Sequence, residues 1–163
     1  MPGLGSYASG PERLTSKLGG AVFSIPAVKA VEFGLGAMSA QLLGSQVHDG
    51  ITYCDCHGWG RTSNNSGGLE GGMTTGGPLI ITAAMKPIPT LMKPLDTVNT
   101  DTHEAVKASK ERSDTCAVPA CGVVAEAEVA MVLADAYMEM FGSNCLDDII
   151  KARNGYMNRL SQR

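Results

Sequence analysis

Several short segments of the chain hold residue types that could do chemistry. The glycine-rich run Ser66-Gly-Gly-Leu-Glu-Gly-Gly-Met73 is the first. Paired glycines let successive backbone N–H groups converge on an anion or a flat ring, because no Cβ stands in the way. Its spacing is neither that of a Walker loop nor that of a dinucleotide fingerprint, and the pattern predicts a strand after it instead of a helix. The same residues also read as a plain surface loop. In Arg112-Ser113-Asp114 a planar fork of donors suited to phosphate stands beside a carboxylate able to take or relay a proton. The alternative is a solvated charge cluster with Lys110 and Glu111. Lys86, placed where a strand must break at Pro87, could reach an anion, or it is an ordinary surface lysine. Cys54-Asp55-Cys56-His57 suggests a metal, but zinc needs four ligands, and no second matching pair exists. His48 and His103 are distant in sequence, so no metal is expected and the cysteines read as loop or buried residues. No serine stands in a nucleophile-elbow context.

Positioning these groups requires a scaffold. Residues 11–24 predict a first helix, opened by Pro11, with Leu14, Leu18, Ala21 and Val22 on one face and Pro26 as its stop. Residues 27–33 alternate as a strand, 36–43 form a short helix carrying Met38 and Leu42, and 50–53 suggest a further short strand. Residues 58–77 read as one long polar loop, a feature that is usually functional or disordered inside a compact domain. Residues 78–85 are β-branched and apolar, as a strand requires, while Pro87 and Pro89 remove the ladder donors needed to extend it. A threonine-rich excursion over 98–106 leads into a charged segment, 107–114.

The C-terminal part is helical. Val123, Val124, Ala127, Met131, Ala134, Met138 and Phe141 recur at gaps of three and four, a stripe expected to face a core, opposite Glu128, Asp135 and Glu139. Gly142 closes that helix, and Asn144 can start the next, with Asp147 and Asp148 at its positive end and Leu146, Ile149, Ile150 and Met157 on a buried side. Segregated helices and strands predict an α+β fold, and residues 1–163 read as one domain.

The composition narrows the function classes. With 44% hydrophobic residues the chain can form a core, and a net charge of −3 argues against a nucleic-acid protein, which would carry a basic stripe. Few aromatics, 5% of residues, leave no stacking platform for single strands. Five irregularly spaced cysteines give no disulfide framework, no secretory pattern opens the chain and no apolar run spans a bilayer. A cytoplasmic location is expected.

Six pieces in order resemble the C-terminal half of chorismate synthase. They are Gly3-Leu-Gly-Ser-Tyr7, the run from Phe23 to Glu32, Gly44-Ser-Gln-Val-His-Asp49, the run from Asn64 to Met73, Met85-Lys-Pro-Ile-Pro-Thr-Leu91, and the run from Glu111 to Pro119 continuing through Ala125-Glu126. The resemblance implies a β-α-β sandwich, with long helices against antiparallel sheet and about half of it here, assembled as a homotetramer. It implies reduced FMN as cofactor and 5-enolpyruvylshikimate 3-phosphate as substrate. Loss of phosphate by trans-1,4-elimination then gives chorismate, in the shikimate pathway to the aromatic amino acids.

By the same resemblance Asp114 and Arg112 are catalytic, the carboxylate near flavin N5 and the guanidinium at flavin and substrate. Lys86, Pro87, Ile88, Pro89 and Thr90 line the FMN, Gly71 gives close backbone approach, and Gly20 and Ala21 form another flavin contact. Departures are visible. Gly20 stands where the family often has a side chain, residues 8–15 lack the usual aromatic residues and, Glu12 apart, the usual acidic ones, and 54–60 match no family motif. The family's two catalytic histidines and most of its substrate-binding arginines belong to its N-terminal half, so this chain alone is expected to turn over little or no substrate. A non-catalytic FMN-binding or interaction module that keeps the scaffold is the alternative.

Overall fold

The structure is a computed structural model that describes residues 1–56, 58–112, 115–142 and 144–162. Helices and antiparallel sheets occupy separate parts of the chain, as α+β requires. The N-terminus enters as β1 (Pro2–Gly5) and is followed by α1 (Leu14–Ser24). Leu14, Leu18 and Val22, four residues apart, are almost fully buried and form the stripe by which α1 is held. The helix stops because Pro26 forces Ile25 into extended backbone, at φ −66° and ψ 127°.

β2 (Val28–Phe33) then pairs antiparallel with β7 (Ile81–Met85), with Phe33 opposite Ile81 and Val28 opposite Met85. A 3-10 turn (Gly36–Gln41) and the short α2 (Gly44–Val47) lead into the hairpin β3 (Ile51–Cys54) and β4 (Gly58–Arg61). The 3-10 turn stands where a short helix over 36–43 was expected, and Met38 and Leu42 are exposed there.

Residues 58–77 are not the single loop that their composition suggests. They hold β4, β5 (Leu69–Glu70) and β6 (Met73–Thr75), and β6 lies between β1 and β5 in a three-stranded sheet. Ladder bonds use backbone groups that any residue carries, so pairing overrides the turn-like composition, through hairpins for β4 and β5 and through β1, some 70 residues away, for β6. Buried Thr74 fastens this sheet. Its hydroxyl accepts from Leu4 N at 3.0 Å and donates to Met1 O at 2.8 Å. The threonine-rich excursion is likewise framed by the hairpin β8 (Asp96–Val98) and β9 (Ala105–Lys107), turned by Asn99, whose Oδ1 accepts from Asp101 N at 2.8 Å.

α3 (Val118–Phe141) and α4 (Leu146–Ser161) complete the chain. Gly142 caps α3 at φ 99°, its N–H bonded to Met138 O, and α4 opens after Cys145, one residue past the expected Asn144. The core joins Leu4, Leu14, Leu18, Leu69, Ala136 and Phe141, and a neighbouring cluster joins Val22, Ile25 and Val28 to Cys121, Ala125 and Val129.

The face of α3 that meets this core is therefore not the stripe read from the sequence. Phe141 is buried as expected, but Val123 is 68% and Met131 58% exposed, and Val124 and Met138 also face solvent. α3 is apolar on both sides, so periodicity marks two usable faces and contact with α1 decides between them. On α4, Ile149 and Tyr156 pack on the core whereas Leu146 and Ile150 are exposed, which corrects half of its expected buried side. Among the described residues no helix is long and apolar enough to cross a membrane.

Candidate functional site

β7 ends at Met85, and Lys86 N still donates to Ala27 O at 2.8 Å. Pro87 and Pro89 then lack N–H groups, so the backbone must leave the sheet here. Where it leaves, it meets the start of α3. Met85, Lys86, Pro87, Ile88, Thr90 and Leu91 on one side and residues 115–118 on the other line a cleft of about 340 Å³. Ile88 and Thr90 are half-buried, while Lys86, Pro87 and Pro89 are exposed.

The expected 86–90 segment is thus set against residues 115–118, which follow the expected Arg112 and Asp114 in sequence. Arg112 is exposed and lies three residues before Thr115 on the cleft wall; Asp114, next to Thr115 in sequence, lies outside the described residues. Gly20 and Ala21 belong to the last two turns of α1, the end that leads to Ala27 and so to Lys86. Gly20 is exposed, and a Cβ there would meet nothing within 4 Å, which leaves an open strip of helix backbone. The wall residues 115–118 were not singled out individually, although they sit within the run from Glu111 to Pro119.

Gly71 is placed elsewhere. With Gly72 it forms the tight turn between β5 and β6, at φ +59° and +88°, the pair of positive angles that a type I′ hairpin needs. Gly72 O accepts from Leu14 N at 2.9 Å, so this turn sits at the N-terminal end of α1. Lys86 sits past its C-terminal end, and the 11 residues of α1 measure about 16 Å.

A close backbone crossing lies outside the cleft. Gly34 and Gly67 cross at φ +57° and +69°, where a Cβ on Gly34 would collide with Asn65 O and one on Gly67 with Gly34 N. Leu35 N donates to Asn65 O at 2.9 Å and Ile80 N to Gly67 O at 3.1 Å, sealing the crossing. Asp49 holds the adjoining turn. Its carboxylate accepts from Ser63 Oγ at 2.5 Å, Asn65 N at 2.8 Å and Ser66 N at 2.9 Å. Burial opposes its charge, but the Ser63 hydroxyl and the two backbone N–H groups outweigh that and hold the carboxyl well below the usual carboxylate range. Beside it Arg61 grips Glu70 through Nε and Nη2, at 2.9 and 2.7 Å, which lowers the glutamate pKa and raises that of the arginine.

Of the expected site groups, the Lys86 ammonium and the proline-flanked apolar wall line the cleft, a combination whose chemistry suits an anionic ligand with a flat aromatic ring. An exposed cation offers charge to a phosphate, and apolar wall residues offer contact to a ring face.

A family model described as chorismate synthase matches residues 1–138. A chorismate synthase of Trichlorobacter lovleyi is 52% identical over 163 residues, covering 96% of this chain and 42% of that protein. Chorismate synthase 2 of Bacillus cereus is 55% identical over 148 residues, covering 90% of this chain and 38% of the relative. A crystal structure of chorismate synthase matches with a TM-score of 0.81 at 39% identity, covering 99% of this chain and 41% of that one. The chain thus spans about two-fifths of the length of the relatives that it matches. With the fold, the ordered motifs and the family model in agreement, this chain belongs to the chorismate synthase family.

Proposed function

We propose that the chain forms the flavin-side wall of a chorismate synthase site, serving the elimination of phosphate from 5-enolpyruvylshikimate 3-phosphate with reduced FMN. The observation that carries this reading is the cleft that joins the 86–90 segment to the start of α3, directly after Arg112 and Asp114 in sequence. When bound, reduced FMN lends electron density to the substrate. The chain's own groups do the rest. Lys86 and Arg112 hold negative charge where phosphate is bound or departs, Pro87, Ile88 and Pro89 press an apolar surface on the ring and exclude water, and Asp114 moves a proton near flavin N5. Thr90 is a hydroxyl partner on the same wall, and Gly20 and Ala21 leave the helix backbone accessible to the ring. Gly71, at the far end of α1, serves a separate close approach.

The acid and most anion-binding groups of the reaction come from the part of the family's length that this chain does not match. The outer face of α3 supports this division, because Val123, Val124, Met131 and Met138 are the kind of surface that a further layer of the sandwich and the other subunits of a homotetramer would cover. The setting is the cytoplasm.

The test is anaerobic. The purified chain is mixed with dithionite-reduced FMN and substrate, with and without an N-terminal segment from one of the matched relatives, and chorismate is measured. Little or no product from the chain alone and restored turnover with the segment are expected. Robust turnover by the chain alone would overturn the incomplete-site reading. Flavin binding with no turnover in the complemented mixture would favour the non-catalytic module.

A further inference from the structure

The tip of the β3–β4 hairpin takes no part in the proposed reaction, and it carries the Cys54-Asp55-Cys56 motif. Cys54 closes the hairpin opposite Gly58, the last rung of a ladder that begins with Ile51 opposite Arg61. The chain then turns through Asp55 and Cys56 and returns at Gly58, whose φ of +71° lets the turn be this tight. The ladder therefore fixes Cys54 at one end of the turn and Gly58 at the other. Cys54 Sγ lies directly against Cys56 Sγ, and both residues are exposed. The other cysteines have no such neighbour in sequence, and Cys121 is partly buried against α1.

We propose that Cys54 and Cys56 form a redox-active dithiol that a low-molecular-weight disulfide such as oxidised glutathione converts to an intramolecular disulfide. The chemistry balances in two exchange steps. One protein thiolate attacks a sulfur of the small disulfide, forming a mixed disulfide and expelling one small thiolate. The second protein thiolate attacks the protein-side sulfur of that mixed bond, closing the Cys54–Cys56 bond and expelling the second. Two electrons pass from the protein sulfurs to the small disulfide, and the two thiol protons leave with the two reduced thiols. Proximity favours closure, because α-carbons two residues apart are at most roughly 7 Å apart, near the upper limit for a bridge, and a turn brings them nearer. The second thiol is then present at an effective concentration that free glutathione cannot match.

The tip also borders a groove of about 1260 Å³, lined by Tyr53, Asp55, Gly58, Trp59 and Arg61 on this side and by Met157 and Leu160 of α4 on the other. Closing the ring stiffens one rim of that groove. Trp59, the chain's single tryptophan, reports on it, since its ring stands edge-on to Tyr53 at 5.1 Å one rung below Cys54.

The experiment equilibrates the purified, reduced chain with glutathione buffers under argon, quenches with acid, alkylates remaining thiols and maps the peptides by mass spectrometry, with Trp59 emission followed in parallel. The expected result is a 54–56 peptide that has lost two hydrogens and escapes alkylation, exceeding its glutathione adducts by roughly tenfold or more. Trp59 emission shifts with the same midpoint and recovers on reduction. Cys54→Ser and Cys56→Ser each abolish the emission change and leave the remaining cysteine as a glutathione adduct. Cys54 and Cys56 found as thiols or as separate adducts, or bridged to Cys116, Cys121 or Cys145, would overturn the proposal.

Discussion

Around Gly34 and Asp49 the chain closes on itself through contacts too tight for a Cβ, whereas the outer side of α3 turns Val123, Val124, Met131 and Met138 to solvent. The first region is specified by what it leaves out and by one carboxylate that collects three donors. The second is specified by apolar side chains that have no covering layer among the described residues. A helix with apolar side chains on a second face beyond the one that meets the core offers that face to a further layer. The candidate cleft lies at the start of that same helix, and the open face and the site wall share one element. The closed region belongs to the scaffold, and the open region adjoins the wall of the proposed site.

Four substitutions test this division. In the longer family protein, Asp114→Asn is expected to cut turnover by about 10²–10⁴-fold while flavin affinity is retained, because shape survives and the ionisable group does not. Parallel loss of turnover and affinity would make Asp114 structural and dissolve the contrast. Next comes Gly34→Ala, which adds a Cβ against Asn65 O at positive φ. It is expected to cost about 2–4 kcal/mol in urea unfolding, and an unchanged midpoint would show that the crossing can yield.

Asp49→Asn is expected to cost about 1–3 kcal/mol at neutral pH, because the amide NH2 would face the Ser66 N–H that the carboxylate accepts. It also carries a pH signature. The folded carboxyl is depressed, so its contribution is complete above the unfolded value of about 3.9 and is lost as pH falls below it toward the folded pKa. The acid limb of stability against pH should flatten in the variant, and an unaltered limb would remove Asp49 from the clasp. The smallest expected effect on stability is that of Met131→Lys on the open face, within about 0.5 kcal/mol. Sedimentation of this variant should nevertheless show less self-association than the parent chain, and a parent that is already a clean monomer would count against the sticky-face reading.

Local signals that act within one turn or one strand were legible in the sequence. The Leu14, Leu18, Val22 stripe, the stop before Pro26, the break after Lys86 and the cap at Gly142 each depend on neighbours a few residues away, and each has the same cause in the structure. The six ordered motifs gave the family for the same reason, since they are read along the chain. Tertiary structure alone decided the rest. It drew strands from the glycine-rich 58–77 segment, chose which face of α3 meets α1, brought the 86–90 segment to the start of α3, and set Gly71 and Lys86 beyond opposite ends of α1. Those outcomes depend on which backbone donors meet which acceptors and on which side chains pack together between segments distant in the chain. Composition supplies the groups for such pairings without naming their partners.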